Sequence, residues 1–149
     1  KMKFLKKFEK HDNEYDIDAF YDAFLDVSDK WDLIKISKDN QLKVSWLCEK
    51  KDFIGNQYYF NHYQRVDYTE QTMYLNIFLI VELDEYTSYY DTERVIDMLN
   101  KQYPGLISDI DIYVKTIQNI FKKIKVDYSY YNKECYDFYL AKIIITFNF

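Results

Sequence analysis

Two histidines, two cysteines and 25 carboxylates are the residues of this chain equipped for acid–base, nucleophilic or metal chemistry. His11 and His62 stand 51 positions apart, with no HxH or HExxH spacing to set two imidazoles on one ion. Cys48 and Cys135 are 87 positions apart and form no CxxC. Each falls on the apolar side of an alternating stretch, where cysteine behaves as a small hydrophobe. A Cys48–His62 dyad would need the two side chains in contact, and nothing in the sequence brings them together. Asp12, Glu14 and Asp16 match the first ligand positions of a calcium loop. Ile17 then stands where that loop needs Gly, and Ala23 where it needs Glu. With Gly55 and Gly105 the only glycines, neither a phosphate-cradling loop nor a dinucleotide fingerprint can form. The expectation is a non-enzymatic chain with no catalytic, cofactor-binding or metal-binding residues. A carboxylate pair assembled by the fold is the one enzymatic arrangement left open.

Two surface features carry more. Asp18, Asp22, Asp26 and Asp29 recur at spacings of four, four and three, which places them on one side of a helix. Such a row is ordinarily a solvated face, or else a patch that meets a basic partner by imitating a run of phosphates. Tyr59, Tyr63 and Tyr74 form the second feature. They are expected on the sheet face opposite the core, beside Asn61 and Arg65, and tyrosine is enriched at protein interfaces. The plainer reading is that a second layer or loop covers that face.

The elements that must position these residues follow from apolar periodicity. Ile17, Phe20, Tyr21, Phe24, Val27 and Trp31 make an amphipathic helical stripe opposite the aspartates, with Asp12 or Asn13 as cap. A hairpin is expected next, Ile34 and Ile36 turning at Lys38-Asp39-Asn40-Gln41 into Leu42, Val44, Trp46 and Cys48. Residues 57–68 alternate as an aromatic strand. Thr72–Leu83 reads as the central strand, with Met73, Leu75, Ile77, Leu79, Val81 and Leu83 an unbroken apolar face. Its other face is partly apolar, which predicts partial cover. A helix then runs to about Tyr103 and stops at Pro104-Gly105. Ser108-x-x-Asp111 resembles a capping box ahead of the helical face Ile110, Tyr113, Val114, Ile117, Phe121 and Ile124. A last hairpin is expected to turn at Asn132-Lys133-Glu134, with Tyr139, Ala141, Ile143, Ile145, Phe147 and Phe149 on one face of the return strand. The predicted class is α+β: one domain over 1–149, a mostly antiparallel sheet of about six strands in the order α-β-β-β-β-α-α-β-β, helices mainly on one face.

Composition bounds the rest. The 149 residues are 48% apolar and 20% aromatic, which argues strongly against disorder, and a chain of this length buries roughly 70% of its unfolded surface. Net charge is −5, which disfavours direct binding to nucleic acid. Residues 1–11 sum to +4 and residues 12–32 to −7. No apolar stretch follows the N-terminal lysines and no run approaches 18 apolar residues, so no membrane span is expected and a cytoplasmic setting is.

The segment Met2-Lys3-Phe4-Leu5-Lys6-Lys7-Phe8-Glu9 resembles the opening of short accessory proteins of tailed phages, which run Met-Lys-x-hydrophobic-Lys-x-Phe-x-Glu. Eighteen lysines against two arginines, with abundant Tyr, Ile, Asn and Phe, match AT-rich coding. The resemblance implies a phage or mobile-element source. Together with the acidic row it points to a protein-binding module, in its most specific form an inhibitor of a host nuclease or defence complex. The partner would be a basic, nucleic-acid-binding host protein. The alternatives are a virion or assembly component, homo-oligomeric through the exposed sheet, and an antitoxin-like immunity protein.

Overall fold

The computed structural model describes residues 17–36, 53–66, 71–88 and 90–149. Among them the order is α1 (Ile17–Lys30), β1 (Ile34–Lys35), β2 (Gln57–Val66), β3 (Gln71–Leu83), α2 (Thr92–Gln102), α3 (Leu106–Ile120), β4 (Lys125–Cys135) and β5 (Phe138–Asn148). The five strands form one sheet in the order β1-β2-β3-β5-β4. β3 is its middle strand, antiparallel to β2 on one side and to β5 on the other. Leu75, Ile77, Leu79, Val81 and Leu83 are all buried, so the period-two apolar face is the floor of the core, as expected.

All three helices lie on that face. Phe20, Phe24 and Val27 of α1, Val95 and Leu99 of α2, and Ile110, Tyr113, Val114 and Ile117 of α3 join the β3 floor in one apolar cluster. Phe121 and Ile124 sit in the same cluster although α3 ends at Ile120. Aromatic rings fill its centre. Phe24 meets Tyr58, Phe60 and Tyr113, and Phe20 stacks on Phe121 with centroids 5.4 Å apart. Each such ring takes about 150–250 Å² out of water, a large apolar contribution per residue. The Tyr113 hydroxyl donates to the Phe20 carbonyl across 3.2 Å, tying α3 to α1.

Several details differ from the sequence expectation. Among the described residues the sheet has five strands, and it is mixed, because β1 runs parallel to β2 with Ile34 opposite Gln57. The expected antiparallel chain of four strands is therefore not formed: β1 pairs forward in the sequence with β2, while the proposed return strand and turn over 38–48 lie outside the described residues. So do the N-terminal segment and the caps offered for α1. The last hairpin turns at Tyr136-Asp137, not at Asn132-Lys133-Glu134. Cys135 pairs directly with Phe138, and Tyr136 takes a positive φ of 40°. Asn132 is instead fully buried within β4. Its amide oxygen accepts from the Thr87 N–H at 2.6 Å and its amide nitrogen donates to the Leu140 carbonyl at 2.9 Å. Those bonds remove the reason for an asparagine to turn the chain.

The start of α3 also moves. Gly105, not Ser108, is its N-cap, at φ 97°, a left-handed conformation in which a side chain is strained. α2 begins as a capped helix should, with Asp91 accepting from the Arg94 N–H at 3.1 Å. No helix among the described residues is long and apolar enough to cross a membrane.

Candidate functional site

The acidic row is the outward side of α1. Asp18, Asp22, Asp26 and Asp29 are all exposed, while Phe20, Phe24, Val27 and Ser28 between them are buried. At 1.5 Å of rise per residue, carboxylates recur about every 6 Å along roughly 16 Å of helix. Asp18–Asp22 and Asp22–Asp26 are like-charge pairs at i, i+4. Each such pair costs a helix roughly 0.2–0.5 kcal/mol. The row therefore weakens its own helix, and α1 is held by its other side.

At its C-terminal end that hold is polar as well as apolar. The Trp31 indole N–H donates to Asp109 Oδ2 at 2.8 Å, and Lys30 Nζ reaches the same oxygen at 2.9 Å. Both interactions favour the charged carboxylate. The Lys30 bond first, and the Trp31 bond after it, hold Asp109 below the usual carboxylate range. The Trp31 ring stands edge-on to Tyr103 with centroids 6.4 Å apart. Its Cζ2 lies 3.7 Å from where a side chain at Gly105 would begin. Thus α1, the end of α2 and the start of α3 meet at one tryptophan, and the orientation of the aspartate row is set there.

The three tyrosines do lie on the sheet face that carries no helix among the described residues, called here the helix-free face, but they do not share one environment. Tyr59 is only 4% exposed. It stacks on Phe78 at 4.6 Å and belongs to a second, smaller apolar cluster with Ile80, Cys135 and Leu140, flanked by Ile36, Phe53 and Phe138. Burial pushes its phenol up to about 12, with Tyr63 adding to the shift. Tyr59 is thus withdrawn from the surface and corrected to a packing residue. Tyr63 and Tyr74 are register partners across β2 and β3, with rings 5.0 Å apart. Tyr63 is 38% exposed and accepts from the Asn61 amide. The neighbouring Asn61–Asn76–Thr146 row is polar, and Thr146 Oγ1 donates to Asn76 Oδ1 at 2.6 Å. The face is therefore apolar and buried toward Tyr59, and polar and partly exposed toward Tyr63 and Tyr74.

One residue of this face, Lys142, went unnoticed in the sequence. Lys142 lies over the Phe78 ring at 5.0 Å, and burial lowers its pKa. Phe78 itself bridges the covered and open parts. The signal was present in the alternate positions of β5, Lys142, Ile144, Thr146 and Asn148, which lie opposite its apolar face and are half-buried.

Among the described residues, no group of three or more His, Cys, Asp and Glu side chains could hold a metal ion. His62 sits half-buried at the rim of the core face, 6.5 Å from the Phe149 ring, and Cys135 is buried in the second cluster. Cys48 lies outside the described residues. A recess of about 170 Å³ lies between Asp84, Glu85, Met98, Lys101 and Gln102, smaller than pockets that enclose a small-molecule ligand. No protein-family model matches the chain, and no curated protein resembles it closely enough to count as a relative.

Proposed function

We propose that this chain is a non-enzymatic protein-binding module whose contact surface is the outer side of α1. Its partner is a basic protein whose nucleic-acid-binding surface the aspartates occupy. One observation carries the reading: Asp18, Asp22, Asp26 and Asp29 are all exposed along one side of a helix whose opposite side is locked into the core. Rows of like charge at i, i+4 subtract from helix stability. A charge pattern that costs folding and lies on a rigid, outward face fits a role outside folding. Clefts and patches of one sign also steer an oppositely charged partner and raise its association rate.

The most specific form is a phage or mobile-element inhibitor of a host nuclease or defence complex, supported by the N-terminal resemblance together with this row. The second reading is a virion or assembly component acting through the open part of the sheet. Its supporting observation is the Tyr63–Tyr74 pair beside Asn61, with Tyr63 exposed and Tyr74 half-buried. Capture from a lysate of the bacterium that carries the gene separates the two. An interaction through α1 weakens with added salt, because exposed charges are screened within about 10 Å at 0.1 M, and is lost in D18K/D22K/D26K. An interaction through the sheet survives both and is lost on Tyr63→Ala and Tyr74→Ala.

A further inference from the structure

The β4–β5 hairpin reverses through two residues, Tyr136 and Asp137, with Cys135 paired directly to Phe138. The favoured two-residue hairpin turns need a positive φ at their first position, which Gly, Asn or Asp normally supplies. Here that position is Tyr136, at φ 40°. A bulky side chain is strained in this region of backbone space. Asp137, better suited to it, stands one residue too late. The Tyr136 ring gives the fold little to offset the strain, being 81% exposed at the apex of the turn.

The chain beneath the turn is held in place. Cys135 is 1% exposed and lies in the second apolar cluster with Leu140. Phe138 stacks on Phe53 on the helix-free face, with centroids 5.5 Å apart. Tyr139 stacks on Tyr86 on the opposite face at 5.9 Å. Asn132 accepts from the Thr87 N–H and donates to the Leu140 carbonyl. The strands leading into the turn are thus clamped from both faces, and the tyrosine rides on a fixed base.

A side chain that strains its turn, adds little to the core and is held in a preset position has the properties of an interface anchor. Tyrosine is among the residues that dominate binding when they fill a partner's pocket. Presentation on a preordered base lowers the entropy lost on association. Glu134 and Asp137, both exposed, stand within two positions of Tyr136, so charge complementarity asks for a basic rim. A second copy of this chain is the wrong partner. Its recess beside Met98 sets two carboxylates, Asp84 and Glu85, against the one Lys101, a sign that repels Glu134 and Asp137.

We propose that the tip of the β4–β5 hairpin is a second contact surface. Tyr136 is its anchor and inserts into an apolar, phenol-sized pocket with a basic rim on a partner protein. What marks this surface is strain and exposure at one turn, not the α1 row.

Capture from a lysate of the bacterium that carries the gene, with the full chain as bait, identifies proteins retained by wild type and released by Tyr136→Asn. The purified candidate is then titrated calorimetrically against each chain. Tyr136→Asn should bind about tenfold more weakly or worse, and Tyr136→Phe, which keeps the ring, should lose less. Asn tolerates the left-handed backbone, so the urea midpoint of Tyr136→Asn should equal or exceed that of wild type. Retention by D18K/D22K/D26K but not by Tyr136→Asn supports the tip and counts against the α1 reading. Loss in both variants sets one partner on both surfaces. The inference is overturned if no retained protein depends on Tyr136, or if the purified candidate binds Tyr136→Asn as it binds wild type. A variant less stable than wild type overturns it as well, because the ring then serves the fold. So does sedimentation showing that Tyr136 joins two copies instead.

Discussion

Asp22 is the residue at which binding and folding should move in opposite directions. It stands between Asp18 and Asp26 at i, i+4 from each, and all three are exposed. Asp22→Lys turns two repulsive pairs into attractive ones and replaces a poor helix former with a better one. Chemical denaturation should show the variant more stable by about 0.5–1 kcal/mol, while capture of the partner falls. A loss of both would mean that the row serves the fold. Trp31 makes the converse case, a side chain whose work is structural. Trp31→Phe keeps the ring against Tyr103 and removes the bond to Asp109. Asp109 is held below its usual range by Lys30 and Trp31. A depressed carboxylate contributes stability above its unfolded pKa near 4, and loses it as pH falls through the lower folded value. In Trp31→Phe the Asp109 titration, followed by NMR, should move back up toward that ordinary value, and acid unfolding should begin at a higher pH. Asn132 is fully buried with both ends of its amide bonded. Asn132→Ala strands the Thr87 N–H and the Leu140 carbonyl, a loss of about 2–3 kcal/mol in urea unfolding.

At the scale of elements, periodicity made the core legible and said little about pairing. The apolar stripes of α1 and α3, the odd face of β3 and the odd face of β5 all face the cluster they were expected to build. Each is a local pattern, and burial of one face enforces it. The parallel pairing of β1 with β2 left no such mark, because which strand lies beside which depends on contacts far along the chain. The last turn was misplaced for a chemical reason. Asn132-Lys133-Glu134 has turn composition, yet the Asn132 amide is consumed by the 84–88 connection, and the chain reverses at the highly exposed Tyr136. Of the candidate site, the acidic row was fully readable from spacing. The tyrosine face was readable only as a face: alternation says which side Tyr59 points to, and Phe53, Phe78 and Ile36 decide that this end is covered. Leu79, at the centre of β3 and fully buried, tests the floor of the core. Leu79→Ala should cost about 2–5 kcal/mol, the range for a truncated core leucine.

For the whole molecule the two sides of the sheet divide the labour. The three described helices and the odd face of β3 hold the fold together, α1 turns its carboxylates outward, and tyrosines are buried or half-buried on both sides of the sheet. Their burial has an alkaline consequence. Burial raises the phenols of Tyr59, Tyr63, Tyr103, Tyr113, Tyr128 and Tyr130 above the ordinary value of 10, Tyr59 to about 12. A phenol raised on folding contributes stability that is complete below pH 10 and is lost as pH climbs through its folded value. Stability should therefore fall between about pH 10 and 12, with a shallower fall in Tyr59→Phe. The central claim remains that the α1 row is a contact surface, and salt-dependent capture by wild type and D18K/D22K/D26K side by side tests it most directly. The account predicts that wild type retains a basic, nucleic-acid-binding protein at low salt and releases it at high salt, while the folded variant retains none. Capture of the same protein by both chains, or retention indifferent to salt, would contradict it.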